Sequence, residues 1–326
     1  MKKTVFNLFL FATIIGFSQE KKAYQIFDKN GKKSSYEKVL KAGEKSDVVL
    51  FGEYHDNSVV HWLQLEFTKD LAEKKELVLG AEMLEADNQI QLNQYLNGEI
   101  NQKQLDSTAR LWKNYKTDYK PLVDFAKEKK INFIATNVPR RYASLVFKKD
   151  LVALDSLSVQ EKSWIAPLPI EFDVNLPGYQ SMMQMQGGHA GDKMPKAQAI
   201  KDATMAYFIN KNRKENSVFV HYNGTYHSDN YEGINWYLKK YDSGIKIVTI
   251  ATVEQKDLLK ATDLFQSIFK NKSVLEIACG TGYWTEQISK TATSILATDI
   301  NKAVIDIAKT RNISSNVTFE VADMYS

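Results

Sequence analysis

Asp47-Val48-Val49-Leu50-Phe51-Gly52, followed directly by Glu53-Tyr54-His55-Asp56, is the stretch on which the fold turns. An uninterrupted apolar run of this length that ends on glycine reads as a strand buried on both faces, because such strands lose the polar alternation of a half-solvated one. The pattern recurs outward from it. Glu76 to Ala81, Ile131 to Thr136, Ser217 to Tyr222 and Ile245 to Ile250 read as further strands. Helical segments stand between them. Val59 to Lys74 carries Val60, Leu63, Phe67 and Leu71 at helical spacing, and Pro121 to Lys129, Lys196 to Asn212 and Tyr231 to Tyr241 follow. Strands separated by helices need crossover connections, so the expected class is α/β with a mainly parallel sheet flanked by helices.

Each of the first four strands is followed by polar, chemically capable residues. They are Glu53, His55 and Asp56, then Glu82 and Glu85, then Asn137, Arg140 and Arg141, then Asn223, Gly224 and His227. A parallel sheet delivers all four sets to one edge, the carboxyl end, where open α/β folds bind ligands. A single histidine beside a strand is commonly a hydrogen-bonded structural group. Two histidines with two or three carboxylates could instead hold a metal, perform acid/base work or grip a polar ligand.

The ordered series Gly52-Glu53-Tyr54-His55-Asp56 with His61 and Gln64, Gly80-Ala81-Glu82-Met83-Leu84-Glu85, Asn137-Val138-Pro139-Arg140 and Gly224-Thr225-Tyr226-His227 resembles the ChaN family of haem-binding uptake proteins, within the TIKI/erythromycin-esterase-like superfamily. The segment Ala197 to Ala206 resembles the family's penultimate helix. The resemblance covers about residues 25–260. It implies haem bound near the strand edge, a Tyr or His axial ligand, a homodimer that brings two haems face to face, and work beside outer-membrane haem uptake machinery. Pro177 to His189, with glycines at both ends, three methionines, one Tyr and one His, shows no clear period and reads as a Met-rich loop. Thioether side chains suit a large flat macrocycle, or simply fill gaps in a core. Tyr179 is the first candidate ligand and His189 the second, since either type can ligate haem iron. Arg140 or Arg141 could pair with a propionate. The alternative is a metal-dependent hydrolase of the same superfamily, in which Glu53, His55, Glu82 and His227 bind a metal or activate water.

The two ends of the chain carry different addresses. Lys2 and Lys3, an apolar run from Val5 to Ile15 and a small residue at Ser18 compose an export signal over residues 1–18. No Cys follows that run, so a lipid anchor is not expected, although members of the resembled family are often lipoproteins. A periplasmic or secreted protein without a transmembrane helix is the expectation. The net charge is +4 across 326 residues, too weak and dispersed for nucleic-acid binding. Cys279 is the sole cysteine, so no disulfide supports the fold.

At the other end, Ser273 to Ile277, the turn Ala278-Cys279-Gly280-Thr281-Gly282 and a helix compose a strand, Gly-rich turn and helix. Ser294 to Asp299 is the next strand, its acid about 20 residues beyond the turn, as a ribose-binding carboxylate requires. Val317 to Asp323 is a third. Residues 266–326 thus resemble the N-terminal half of a class I S-adenosylmethionine-dependent methyltransferase, a Rossmann-like fold. That resemblance implies Glu276, Gly280 and Gly282 at the methionine end of the cofactor, Asp299 on the ribose and Asp323 on the adenine. The later strands of such a fold are missing, so a truncated domain without methyl transfer is expected, joined near Lys260–Lys272 to an unrelated partner. The expected organisation is a signal over 1–18, a ChaN-like domain over 19–262 and the methyltransferase-like segment over 263–326.

Overall fold

The computed structural model describes residues 23–185, 191–254, 266 and 269–322. The expected signal over 1–18, the 262/263 boundary, His189 and Asp323 lie outside the described residues. The chain divides into two units, one of them Ser34–Lys256 and the other built largely on the residues from Asp257 onward.

In the first unit a five-stranded sheet holds β1 (Val48–Glu53), β2 (Glu76–Glu85), β3 (Asn132–Asn137), β4 (Ser217–Gly224) and β5 (Ile247–Ile250) in the order β3-β2-β4-β1-β5. Every pairing is parallel. Its helices are α1 (Tyr36–Glu44), α2 (Ser58–Ala72), α3 (Gln89–Leu96), α4 (Gln102–Thr108), α5 (Lys120–Lys129), α6 (Arg140–Lys149), α7 (Val159–Lys162), α8 (Pro177–Met185), α9 (Lys193–Asn212) and α10 (Ile234–Tyr241). Alternation along β1 sorts the core. Val49 and Phe51 face one side with Phe67, Leu71, Leu122 and Val123, from α2 and α5. Val48 and Leu50 face the other with Val146, Ile200, Ala203 and Leu238, from α6, α9 and α10. Each of the Val, Leu, Ile and Phe side chains among these contributes roughly 1.5–3 kcal/mol by leaving water. The continuous apolar runs of β1, β2 and β4 are therefore central strands covered on both faces, while β3 and β5 are the edges.

One expectation is overturned here. Pro177 to Met185 is a helix, where a loop without a period was expected. Proline is favoured at the first helical position, where its missing N–H is no loss, and the Met and Gln residues that follow are good helix formers. The Gly178 N–H donates to Glu232 Oε2 at 2.7 Å, which anchors the first turn.

The second unit holds a parallel three-stranded sheet in sequential order, β6 (Ser273–Ile277), β7 (Ser294–Asp299) and β8 (Val317–Val321), with α11 (Tyr283–Ile288) and α12 (Lys302–Lys309) as its crossovers. Cys279, Ile288, Ile295, Ala297 and Ile305 compose a small core on one face. The opposite face leaves Leu275 60% and Ile277 49% exposed, with Leu296 beside them. This is the strand and helix order of half a doubly wound sheet, covered on one side.

Candidate functional site

The carboxyl ends of β1, β2 and β4 meet because their register is level. Gly52 stands opposite Asn223 and Glu53 opposite Gly224, while Gly80 stands opposite His221. Glu53 is fully occupied. Its Oε1 accepts from the Tyr119 hydroxyl at 2.8 Å and lies 2.8 Å from His55 Nδ1, and its Oε2 accepts from the Gln64 amide at 2.7 Å. Tyr119 arrives on a π-helical turn, Tyr115–Tyr119, a rare element that re-aims side chains and is frequent at functional sites. His61 completes this end, with Nδ1 3.2 Å from Gln64 Oε1 and Nε2 3.1 Å from the His55 carbonyl.

Gly224 joins this half to the next. Its N–H donates to Glu82 Oε2 at 2.7 Å. A Cβ placed on it would meet His55 Nε2 at 2.9 Å, so the imidazole lies directly against the bare glycine backbone. Beyond it, His227 Nε2 is 3.1 Å from Glu82 Oε1 and Nδ1 is 2.5 Å from Asp202 Oδ1. The other Asp202 oxygen accepts from the Tyr179 hydroxyl at 3.0 Å. One connected run thus passes from Glu53 through His55, Gly224, Glu82, His227 and Asp202 to Tyr179.

Its electrostatics follow from burial and contact. Burial alone would lower the His227 pKa, but the Glu82 and Asp202 charges and hydrogen bonds outweigh it and push it up to about 9. Both ring nitrogens then donate, and the group is an imidazolium at neutral pH. Burial raises the Glu82 carboxyl, but the His227 and His55 charges and the Gly224 N–H more than reverse it, holding Glu82 well below the usual carboxylate range. Burial dominates at Asp202, whose pKa is raised despite His227 and Tyr179. At His55 burial is outweighed by the Glu53 hydrogen bond and the Glu82 and Glu53 charges, and the net direction is upward. At His221 burial outweighs the Asn223 hydrogen bond and the Glu82 charge, and pushes it down to about 4.

The four residues named for a hydrolase, Glu53, His55, Glu82 and His227, are brought together. Their donor atoms, however, turn to one another, and among the described residues no group of three or more His, Cys, Asp or Glu has the geometry to hold a metal ion. Asn137 is buried beside them, its Nδ2 donating to the Glu82 carbonyl at 2.9 Å while its Oδ1 has no partner. Arg140 is exposed on the first turn of α6. Arg141 is committed instead to Asp87 at 2.7 Å and to the rings of Tyr142 and Trp164. Tyr179 is only 3% exposed, stacked on Phe172 at 5.4 Å, and burial beside the Asp202 charge drives its pKa far up. On the same helix Met182 and Met183 are half-buried.

Sequence reasoning missed Asp202 and Tyr119. Asp202 had a signal: it interrupts the apolar face Ala199, Ile200, Ala203, Ala206 and Ile209 of α9, where an unpaired acid would be costly. Tyr119 had none, since only the π turn aims it at Glu53.

In the second unit the Gly280 N–H donates to Asp299 Oδ2 at 2.9 Å, and Glu276 Oε2 accepts from Thr285 at 2.7 Å. Gly282 has φ +74°, and a Cβ there would strike the Ala308 side chain at 2.7 Å, so the turn needs glycine for both conformation and close packing. Glu276, Gly280, Gly282 and Asp299 thus sit around one strand-turn-helix corner.

Comparison with known proteins agrees with both units. The family model described as haem-binding uptake, Tiki superfamily, ChaN matches residues 39–238. The solved structure of cofacial haem binding to ChaN of Campylobacter jejuni is similar, with a TM-score of 0.56 and 21% identity, covering 74% of this chain and 95% of that one. A methyltransferase domain model matches residues 274–326. Malonyl-[acyl-carrier protein] O-methyltransferase of Bacillus cereus is 47% identical over 53 residues, which are 16% of this chain and 20% of that protein. The chain therefore spans about a fifth of the length of that curated relative.

Proposed function

The chain belongs to the ChaN family of haem-binding uptake proteins, and on that premise we propose that it binds haem at the carboxyl edge of the five-stranded sheet, beside α8. The observation that carries the reading is the family match, which takes in four of the five strands and every residue of the Glu53-to-Tyr179 run. The local chemistry supports it in part. Arg140, exposed where β3 passes into α6, suits a propionate, because a guanidinium offers paired donors to a carboxylate. Met182 and Met183 offer polarizable apolar contact. Tyr179 fits an iron only after its hydroxyl leaves Asp202, and His189 is the second candidate. Bound haem would supply an iron open to an axial ligand, while the chain's own residues orient it, neutralise its carboxylates and exclude water.

Export through residues 1–18, a periplasmic or secreted location, a homodimer and a role in iron uptake beside outer-membrane machinery complete the proposal. Among the described residues no helix is long and apolar enough to cross a membrane. For the second unit we propose an S-adenosylmethionine site, with Glu276, Gly280 and Gly282 toward the methionine end and Asp299 toward the ribose. Asp323 would take the adenine.

A second reading, hydrolysis, is favoured by one observation. His55 holds Glu53 through Nδ1 and has a side chain 40% exposed, the arrangement of a base oriented by a carboxylate. Titration of the full chain with ferric protoporphyrin, followed by absorbance, separates the two. A saturable Soret shift, weakened in Arg140→Ala, supports haem binding. A flat titration together with chelator-sensitive ester hydrolysis lost in His55→Ala would replace it.

A further inference from the structure

The two edges of the five-stranded sheet are finished differently. At β3 the Gln89 side chain takes the place of a neighbouring strand. Its amide nitrogen donates to the Phe133 carbonyl at 3.0 Å, and its oxygen accepts from the Ala135 N–H at 2.7 Å. Those are the two bonds that one residue of a parallel neighbour would make. Asn93 Oδ1 accepts from the same amide at 2.8 Å and holds it in place. β5 has no such cap. The Val48 N–H donates to the Lys246 carbonyl at 3.2 Å, so Lys246, Val248 and Ile250 turn their backbone groups toward β1, and Ile247 and Thr249 turn theirs outward. Among the described residues, the outward N–H and C=O groups of Ile247 and Thr249 have no hydrogen-bond partner. The Thr249 hydroxyl is spent elsewhere, on Asn235 Oδ1 at 3.1 Å. The strand also lacks the usual edge guards. Ile247-Val248-Thr249-Ile250 is β-branched throughout, without a charge, a proline or a glycine.

We infer that β5 is the edge on which a second copy of this chain docks, by antiparallel strand pairing about a two-fold axis at Val248. The inference rests on the reading of the chain as a homodimer, names the surface that joins it, and needs no ligand to do so. Self-complementarity selects a second copy over an unrelated strand. A two-fold axis in the plane of a strand pair demands antiparallel strands, and the same patch then serves on both subunits. Centred on Val248, the axis sets Ile247 of each copy opposite Thr249 of the other. Both positions turn their backbone groups outward, so all of these groups are met and none is left over. Val248 meets its own counterpart in a non-hydrogen-bonded pair, the closer of the two antiparallel spacings. The two sheets become one, and its outer ends are the two β3 edges. Gln89 closes both, so the assembly stops at two copies.

The test is sedimentation velocity of the full, haem-free chain over a concentration series, for the wild type and Thr249→Pro. A proline there removes an outward N–H and leaves the β1 ladder whole. The wild type should sediment as a dimer. Thr249→Pro deletes one bond from each copy and should raise the dissociation constant at least about tenfold. Oxidative crosslinking reads the register without the proline. With the buried Cys279 replaced by serine, Val248→Cys should yield a covalent dimer, because the two positions face each other. Lys246→Cys should not, because Lys246 stands opposite Ile250. A monomer throughout the series, a dimer that forms only once ferric protoporphyrin is added, a dimer equally tight in a folded Thr249→Pro, or crosslinking no better at position 248 than at 246 overturns the edge. Haem binding is read separately: a flat ferric protoporphyrin titration of a wild-type dimer that crosslinks at position 248 upholds the edge while removing the haem reading.

Discussion

His227 is held between two buried carboxylates, Glu82 Oε1 at 3.1 Å and Asp202 Oδ1 at 2.5 Å, with both of its ring nitrogens spent on them. The histidine is what makes two interior acids tolerable. Removing one partner of a buried pair leaves an uncompensated charge and costs roughly 3–5 kcal/mol. His227→Ala should therefore lower the unfolding free energy by about that amount in urea melts. A loss below ~1 kcal/mol would mean the carboxylates are solvated or protonated in the folded state.

The same residue sets an alkaline limit. Its folded pKa, about 9, lies above the ordinary histidine value of 6.5. A raised folded pKa means the stabilisation is complete below the unfolded pKa and is lost as pH rises through the folded one. Stability should thus fall between about pH 6.5 and 9 by on the order of 3 kcal/mol. His221 works oppositely. Its folded pKa, about 4, lies below 6.5, so its contribution is present above 6.5 and is lost as pH falls toward 4. Chemical denaturation across that range measures both limbs, and His227→Gln should flatten the alkaline one alone.

Gly224 is a point of contact between the two halves of the site. A methyl group there would meet His55 Nε2 at 2.9 Å and Glu82 Oε2 at 3.4 Å. Gly224→Ala should displace the half-exposed imidazole rather than the strand, at a cost of about 1–3 kcal/mol. In NMR titration the His55 pKa should drop back toward its ordinary value as the ring leaves Glu53. An unshifted His55 would show that the ring does not rest on the glycine.

The fold was legible because burial on both sheet faces writes continuous apolar strands, and all five sequence-read strands correspond to β1 through β5. Glu53, His55, Glu82 and His227 were legible as a group because a parallel sheet sends every strand end to one edge. Three things were not. The helix at Pro177 lacks an apolar period, because it is pinned by Gly178, Tyr179 and their partners rather than by a continuous stripe. Asp202 belongs to the site through the packing of α9 on β2 and β3, which a sequence does not state. Tyr119 depends on a one-residue widening of a helical turn.

The two units have separate cores, one built on β1 to β5 and one on β6 to β8. A chain ending at Lys256 should keep the near-ultraviolet circular dichroism of its buried Tyr115, Tyr119 and Tyr222 and its cooperative melt. Loss of both would show that the first unit depends on the second.

The most direct test of the central claim is a ferric protoporphyrin titration of that shortened chain, with Arg140→Ala beside it. The account predicts a saturable Soret shift with the shortened chain equal to the full one, and weaker binding in Arg140→Ala. A flat titration of the shortened chain, or a shift that survives only when residues 257–326 are present, would contradict haem binding at the sheet edge.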